Sequence, residues 1–552
     1  MKRFFLVLVL FLTLKSFAQH YPKYTTPLKY SPILVSTFGE LRPDHFHSGL
    51  DFSTHATAGI PVYALDNGYV SRIKVSANGY GNALYITYDN GYKSVYGHLL
   101  RYASFIDTFV RSQQYLLETF EITLYPLPGQ IRVKKGQIVG YVGNTGRSAA
   151  PHLHFEMRST YRDRPLNPLF FGLGVRDHTP PRIYRIGIYP ASDSSLVRGK
   201  HKKLILPLSS VSKPVKVAGP VYFAIESYDY TDKHRSRKGL YSVKLFVDDS
   251  LVFAYRFDSI SFLNTRYVNT LLDYAEYKKR KIKLQRSYIS PNNRLCIYTT
   301  EGNGVVLLDD GIHEIKYVVS DFFGNKAVAK FTVNSSVNSA YRFVPPANTE
   351  LLYPKEDNTI DKGNVKIFIP AYALYDTVYF RVDSAGVKGY SKVYKVHNRF
   401  LPLQSPAVLK IKPSAFPADK KNKFVLARME SNKVEDYYPA LYRDGFVTAA
   451  VDRLGQFYVD LDTVAPRIEL ISKMPVRKGR MLYFGIKDDK SGVADYDCYL
   501  NGKWFLLSYD GKSNRLYARV DSSFVRGENK IYIEVKDQKN NKARYDFTIT
   551  VE

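Results

Sequence analysis

Cysteine is almost missing from this chain: 552 residues contain two, Cys296 and Cys498. They lie far apart, in separate strand-like runs ("RLCIYTT" and "YDCYLNG"), so a disulfide framework is excluded and both read as buried, unpaired thiols. Tryptophan occurs once and methionine five times. Beyond the first fourteen residues no apolar run is long enough to span a bilayer. Negative charge is also scarce: 51 Asp and Glu stand against 79 Lys and Arg, a formal net charge of +28. Such an excess points to an anionic partner. The Lys and Arg are scattered and no nucleic-acid motif appears, which sets nucleic acid aside.

What is present begins with a secretory pattern. Lys2 and Arg3 precede an apolar run from Phe4 to Leu14, and Ser16-Phe17-Ala18 offers small residues for cleavage before Gln19. Residues 1–18 are therefore expected to be a signal peptide, and the mature chain to be exported, periplasmic or extracellular, with a charge of +25 once Lys2, Arg3 and Lys15 are removed. For an exported chain, an anionic cell-wall polymer or membrane surface is the fitting partner, with plain solubility as the ordinary alternative. The length predicts three to five domains. Tyr (46) and Phe (33) dominate the aromatic content, which favours strands, and the fold class is expected to be mainly β.

An internal repeat organises the C-terminal two thirds. "VSDFFGNKA" (Val319–Ala327) resembles "VKDQKNNKA" (Val535–Ala543), and "PPRIYRI" from Pro180 resembles "APRIELI" from Ala465. "GLYSVKLFVDD" from Gly239 resembles "GVADYDCYLNG" from Gly492, which sets Cys498 opposite Leu245. Short alternating strands separated by "NG", "DG" and "GN" turns are the pattern of a β-sandwich. Residues 177–336 and 461–552 are expected to be Ig-like modules, the first enlarged by a basic, helix-like stretch (Thr265–Ser287). Residues 337–460 are expected to form another β-rich domain. "KDDKSG" (Lys487–Gly492) carries carboxylates that could bind calcium, and is read as a solvated turn.

The chemistry concentrates before residue 176. Six of the twelve histidines fall between His45 and His154. In "PHLHFEMR", strand alternation puts His152, His154 and Glu156 on one face and Leu153 and Phe155 on the other. In "HSGLD", His47 and Asp51 flank Gly49, which lets a neighbouring strand approach closely. Two histidines and an aspartate leave a fourth position open, the arrangement of a catalytic rather than a structural zinc. His98 and His152 remain for proton transfer near neutral pH.

"RPDHFHSGLDF", "YGHL", "VKKGQIVGYVGNTG" and "PHLHFEMR", in that order, resemble the lysostaphin-like zinc metallopeptidases, the cell-wall endopeptidases of the lysostaphin/LytM type. The resemblance covers roughly residues 30–175. It implies a compact antiparallel β domain over 19–176, with Zn²⁺ held by His47, Asp51 and His154. His98 and His152 would be the catalytic pair that orients water and stabilises the tetrahedral intermediate. The implied substrate is peptidoglycan, at its cross-links or bridge peptides. His45 and His55 match no family role and are read as rim residues; Tyr96 and Asn144 are expected to line the groove. One departure is an insertion over about 101–132, where Phe105, Phe109, Leu116 and Phe120 suggest a helix and "FEITLY" a strand. It would form either a lid near the cleft or a peripheral packing element. A regulator of a wall amidase that binds without cleaving, an adhesive surface protein with a vestigial zinc domain, and a peptidase acting on proteins stay open as alternatives.

Overall fold

The computed structural model describes residues 21–337 and 341–552; the expected signal peptide lies outside the described residues. The chain is mainly β, and its strands pair almost entirely antiparallel.

The N-terminal domain is built on strands β1 (Leu34–Ser36), β2 (Leu50–Ser53), β3 (Pro61–Tyr63), β4 (Gly68–Val75), β5 (Ala83–Tyr88), β6 (Tyr92–Gly97) and β7 (Leu99–Tyr102). Helix α1 (Ser104–Leu116) follows, then β8 (Ile122–Leu124), β9 (Arg132–Val133), β10 (Ile138–Val142), β11 (His152–Ser159) and β12 (Arg164–Leu166). The main sheet runs β1-β2-β11-β6-β5-β4-β8, with β12 beside β11 and β9 beside β4; β3-β10-β7 form a second, smaller sheet. Leu50, Phe52, Leu84, Tyr96, Leu153 and Phe155 share one core with Val62, Leu99, Val139 and Val142 of the small sheet. Each such side chain, fully buried, contributes about 1.5–3 kcal/mol. The alternate residues of β11 (His152, His154, Glu156 and Arg158) line the opposite face, and the packing of the core thereby fixes where the polar row points.

Helix α1 buries Ile106, Val110 and Gln114, an i, i+4, i+8 stripe. The helix lies where the insertion was expected; of the residues that suggested it, Phe109 and Phe120 pack partly buried against the core, whereas Phe105 and Leu116 are exposed. Its outer side meets the C-terminal module, where Tyr115 packs edge-on against Trp504 with ring centroids 5.3 Å apart and Arg111 pairs with Asp521 at 3.6 Å.

The rest of the chain consists of paired sheets. Between residues 182 and 336, a five-stranded sheet around Arg182–Pro190 and Val221–Thr231 accompanies a six-stranded sheet containing Lys326–Ser336, Gly311–Ser320 and Ser242–Val247 in that order. The last module repeats the arrangement: Arg467–Leu470 pairs with Met481–Lys487, and Lys542–Val551, Gly527–Asp537 and Val493–Leu500 lie in the same order. Leu245 and Cys498 are both buried, as the repeat predicts. Cys296 corrects the other thiol reading: it is exposed. It sits between Leu295 and Ile297, which take the inward positions and turn it outward.

Residues 21–333 share one continuous core, while separate cores fill 352–461 and 468–551. Phe257, from the first module, wedges under the loop that carries His47. It packs against Phe46 with the rings tilted and their centroids 5.3 Å apart, and fills the space where a Cβ on Gly39 would stand, 2.5 Å from its ring. Gly39 also has φ +77°, so glycine is required there twice over.

Candidate active site

Asp51 and His154 are cross-strand partners on β2 and β11, and on the other side of His154 stands Gly97 of β6. His47 precedes β2 in a loop closed by backbone bonds, Gly39 N to His47 O and His47 N to Glu40 O, at 2.8 and 2.9 Å. Gly49 is the close-approach point anticipated from sequence: a Cβ there would lie 2.3 Å from the Phe155 carbonyl oxygen.

Three atoms converge. His47 Nε2 lies 3.0 Å from Asp51 Oδ1 and 3.0 Å from His154 Nδ1, and His154 Nδ1 lies 2.9 Å from Asp51 Oδ1. Ligands around a tetrahedral ion with bonds of about 2.0–2.1 Å stand about 3.3 Å apart, so a small outward adjustment of this triangle accommodates zinc. All three residues are buried, and the group is able to hold a metal ion. The electrostatics favour a cation. Burial alone would raise the Asp51 carboxyl, but His47, His152 and His154 hold it well below its ordinary range. Burial alone would lower His154, yet Asp51 and Glu156 push it up to about 9.

The ligand rings are oriented from behind. His47 Nδ1–H donates to the Thr37 carbonyl at 2.8 Å, which leaves Nε2 as the ligand atom. His154 uses the opposite nitrogen: Nδ1 faces the site, and Nε2–H donates to Glu156 Oε1 at 2.9 Å. Glu156 is fully buried and takes further bonds from Ser48 Oγ (2.5 Å), Tyr80 Oη (2.5 Å) and Arg158 Nε (2.6 Å). Tyr80 also stacks on the His154 ring at 5.0 Å. Sequence reading placed Glu156 on this face without a role. Tyr80 was missed, because it lies in no motif and reaches the site only through the fold.

His98 and His152 flank the triangle, their ring centroids 5.0 Å apart. Each donates Nδ1–H to a backbone carbonyl, Thr145 O at 2.8 Å for His98 and Ala150 O at 2.9 Å for His152. That choice of tautomer turns both Nε2 atoms toward the site, and His152 Nε2 lies 3.5 Å from Asp51 Oδ1. Burial, reinforced by the neighbouring His154 and His152, lowers His98 to about 3, so its ring is neutral across the physiological range.

The remaining expectations divide. His45 is exposed and bonded to Asp44 at 2.6 Å, and His55 is exposed, both at the surface as read. Tyr96 corrects the groove reading. It pairs with Phe155 across β6 and β11, which puts it on the core face, and its hydroxyl donates to Tyr63 O. Asn144 and Ser148 belong to the loop that leads to His152, and both offer backbone carbonyls to Lys512 of the C-terminal module.

Residues 45–118 and 127–168 match Peptidase family M23, and residues 349–462 match the Zu5-like domain. The break in the first match, 119–126, falls inside the expected insertion. The chain is 32% identical over 158 residues to the DD-carboxypeptidase/endopeptidase Mpg of Neisseria meningitidis serogroup B, covering 28% of this chain and 30% of that one. It is 36% identical over 111 residues to the peptidoglycan DD-endopeptidase ShyC of Vibrio cholerae, covering 20% of this chain and 19% of that one. Among solved structures, the catalytic domain of the prophage-encoded M23 protein EnpA from Enterococcus faecalis is 26% identical, with a TM-score of 0.20. That match covers 28% of this chain and 98% of that one. The chain thus spans less than a third of the length of the curated relatives quoted.

Proposed function

We propose that this chain, whose N-terminal domain is a peptidase family M23 domain of the lysostaphin type, is an exported zinc endopeptidase that hydrolyses peptide cross-links or bridge peptides of peptidoglycan. The observation that carries the reading is the triangle of His47 Nε2, Asp51 Oδ1 and His154 Nδ1 with the two imidazoles of His98 and His152 beside it. Peptidoglycan as substrate is supported by the activities for which the relatives are named and by the +25 charge expected of the exported chain, which suits an anionic wall.

His47, Asp51 and His154 would hold the zinc. When bound, zinc supplies Lewis acidity, which brings the pKa of water to about 7 and polarises a carbonyl. The other steps belong to the protein. His98 Nε2, neutral and desolvated, accepts the proton of the attacking water. His98 then returns that proton to the leaving amine, while His152, less buried, stands beside it and can hydrogen-bond the developing oxyanion once its Nε2 carries a proton. Glu156 keeps the Nε2 proton on His154, which presents Nδ1 to the metal in one tautomer. The paired sheets downstream, read as Ig-like modules around the Zu5-like region, act as spacers or wall-binding units that place the peptidase.

Incubating the zinc-loaded chain with purified cross-linked muropeptides, and reading products by mass, tests the proposal. New peptide amines and carboxylates support it. Stoichiometric zinc with every cross-link intact would instead leave a wall-binding regulator.

A further inference from the structure

We infer that the two repeated modules each carry a calcium site, built by three aspartates at equivalent positions of the repeat. In the first module Asp177, Asp229 and Asp321 converge, and in the last Asp462, Asp488 and Asp537 do; in each set the ligand-capable oxygens lie within 4.8 Å of one another. The "KDDKSG" turn supplies Asp488, so this residue is not the freely solvated one read from sequence.

The two clusters agree bond by bond. Asn325 donates its backbone N–H to Asp321 Oδ1 and its side-chain amide to Asp321 Oδ2 and the Asp177 carbonyl, at 2.9, 2.7 and 3.1 Å. Asn541 makes the same three bonds to Asp537 Oδ1, Asp537 Oδ2 and the Asp462 carbonyl, at 2.9, 2.6 and 3.0 Å. The first aspartate of each set accepts a backbone N–H from the residue three beyond the second: Asp232 N to Asp177 and Ser491 N to Asp462. A shared scaffold this detailed, in two modules of otherwise divergent sequence, holds the carboxylates in place rather than dispersing them.

The scaffold leaves oxygens over. Asp177 Oδ2 and Asp229 Oδ1 have no hydrogen-bond partner, although Asp177 is 5% exposed and Asp229 4%. In the last module Asp488 Oδ2 and the hydroxyl of Ser491, a residue 6% exposed, are likewise unpartnered. Buried carboxylate oxygens without donors are costly unless a cation meets them. The nearest lysines do not: Lys238 Nζ donates to the His234 and Ser236 carbonyls, and Lys539 Nζ to the Ala440 carbonyl. Burial, with the neighbouring carboxylates, accordingly raises Asp229 to about 8 and Asp488 to about 6. The first trio also lines a cavity of about 20 Å³ for the centre of a water-sized sphere, between the first module and Leu34, Thr37 and Phe38 of the N-terminal domain. That volume suits one small occupant. All-oxygen, carboxylate-rich sites select hard cations, and carbonyls and water complete the six to eight ligands that calcium takes.

Asp177 and Asp462 stand at the entry of their modules, so an ion at each would fix the module to what precedes it. At the first junction Thr37 lines the cavity while its carbonyl holds His47, so the ion would also stiffen the floor of the candidate active site.

The test is direct. The full chain, zinc-loaded, is equilibrated with CaCl₂, desalted and assayed for metal, beside Asp229→Asn, Asp488→Asn and the double variant, each checked by circular dichroism. Two equivalents of calcium are expected in the parent, one in each single variant and none in the double. At ~100 times its dissociation constant calcium should raise the parent's melting temperature by about 5–10 °C. Should a variant not fold, terbium titrated into the parent decides, because Tyr241 lines the first cavity and sensitises emission from an ion bound there. No calcium in the parent together with silent terbium emission would overturn the inference. Full calcium content in either single variant would overturn that variant's site.

Discussion

His154 Nε2 lies 2.9 Å from Glu156 Oε1, two residues further along the same strand, and that carboxylate is wholly shielded from solvent. The pair explains how a histidine that binds through Nδ1 is kept in one tautomer. Glu156→Gln removes the charge while keeping the shape. Zinc affinity, measured by competition with a chromophoric chelator, is expected to fall by about 10–100-fold. An unchanged affinity would detach Glu156 from the site.

The ligands and the proton-transfer pair should separate experimentally. Asp51→Ala and His154→Ala are expected to lose zinc. His98→Ala and His152→Ala, whose Nδ1 atoms bond only to the main chain and to Ser148, are expected to keep it. Their turnover should fall by about 10²–10⁴-fold. Metal analysis and kcat on one set of preparations check both halves.

Gly49→Ala should damage the site without touching a functional group. The added Cβ meets the Phe155 carbonyl at 2.3 Å and forces β2 from β11. A loss of about 1–3 kcal/mol in urea unfolding is expected, with weakened zinc binding, because Asp51 and His154 share that register. Parent-like stability would show that β2 and β11 have room for the added methyl group.

Asp229 makes the calcium-free chain sensitive to base. Its folded pKa, raised to about 8 by burial and by Asp321 and Asp177 despite Lys238, exceeds the unfolded value of about 3.9. Below pH ~4 both states hold the proton and no penalty arises. As pH rises from ~4 to about 8, the unfolded state releases its proton first, and stability falls before levelling off. Urea midpoints at pH 5 and 8.5 should show this drop in calcium-free, zinc-restored protein, and a smaller one in Asp229→Asn or with calcium present. Identical drops in all three would contradict it.

Trp504→Ala removes the edge-on partner of Tyr115, worth about 0.5–1.5 kcal/mol beyond area burial. Amides of helix α1 should then exchange faster while zinc content stays constant. No change would mean that Arg111 and Asp521 suffice to dock the C-terminal module.

The candidate residues were legible because the chemistry repeats locally: His-x-His on a strand states its face through alternation, whereas His47 lies in the loop before β2 and is brought to Asp51 by that loop's closure. The β character and the repeat were legible for the same reason. What escaped depended on register or on distant segments. Tyr96 stands beside Gly97, and only the pairing of Tyr96 with Phe155 shows that it faces the core. Tyr80 reaches Glu156 from 76 residues away. The aspartate trios draw on three segments each, so "KDDKSG" taken alone shows a turn and none of its partners. The apolar spacing of Phe105, Phe109, Leu116 and Phe120 suggested a helix but not its buried stripe, which is Ile106, Val110 and Gln114.

The most direct test of the central claim is a digest of peptidoglycan with several bridge chemistries by the zinc-loaded chain, beside His98→Ala and His154→Ala, with products identified by mass. New peptide ends from at least one wall, absent with both variants, are the predicted result, and they would name the bond. Zinc bound at one equivalent with no new ends from any wall would contradict it.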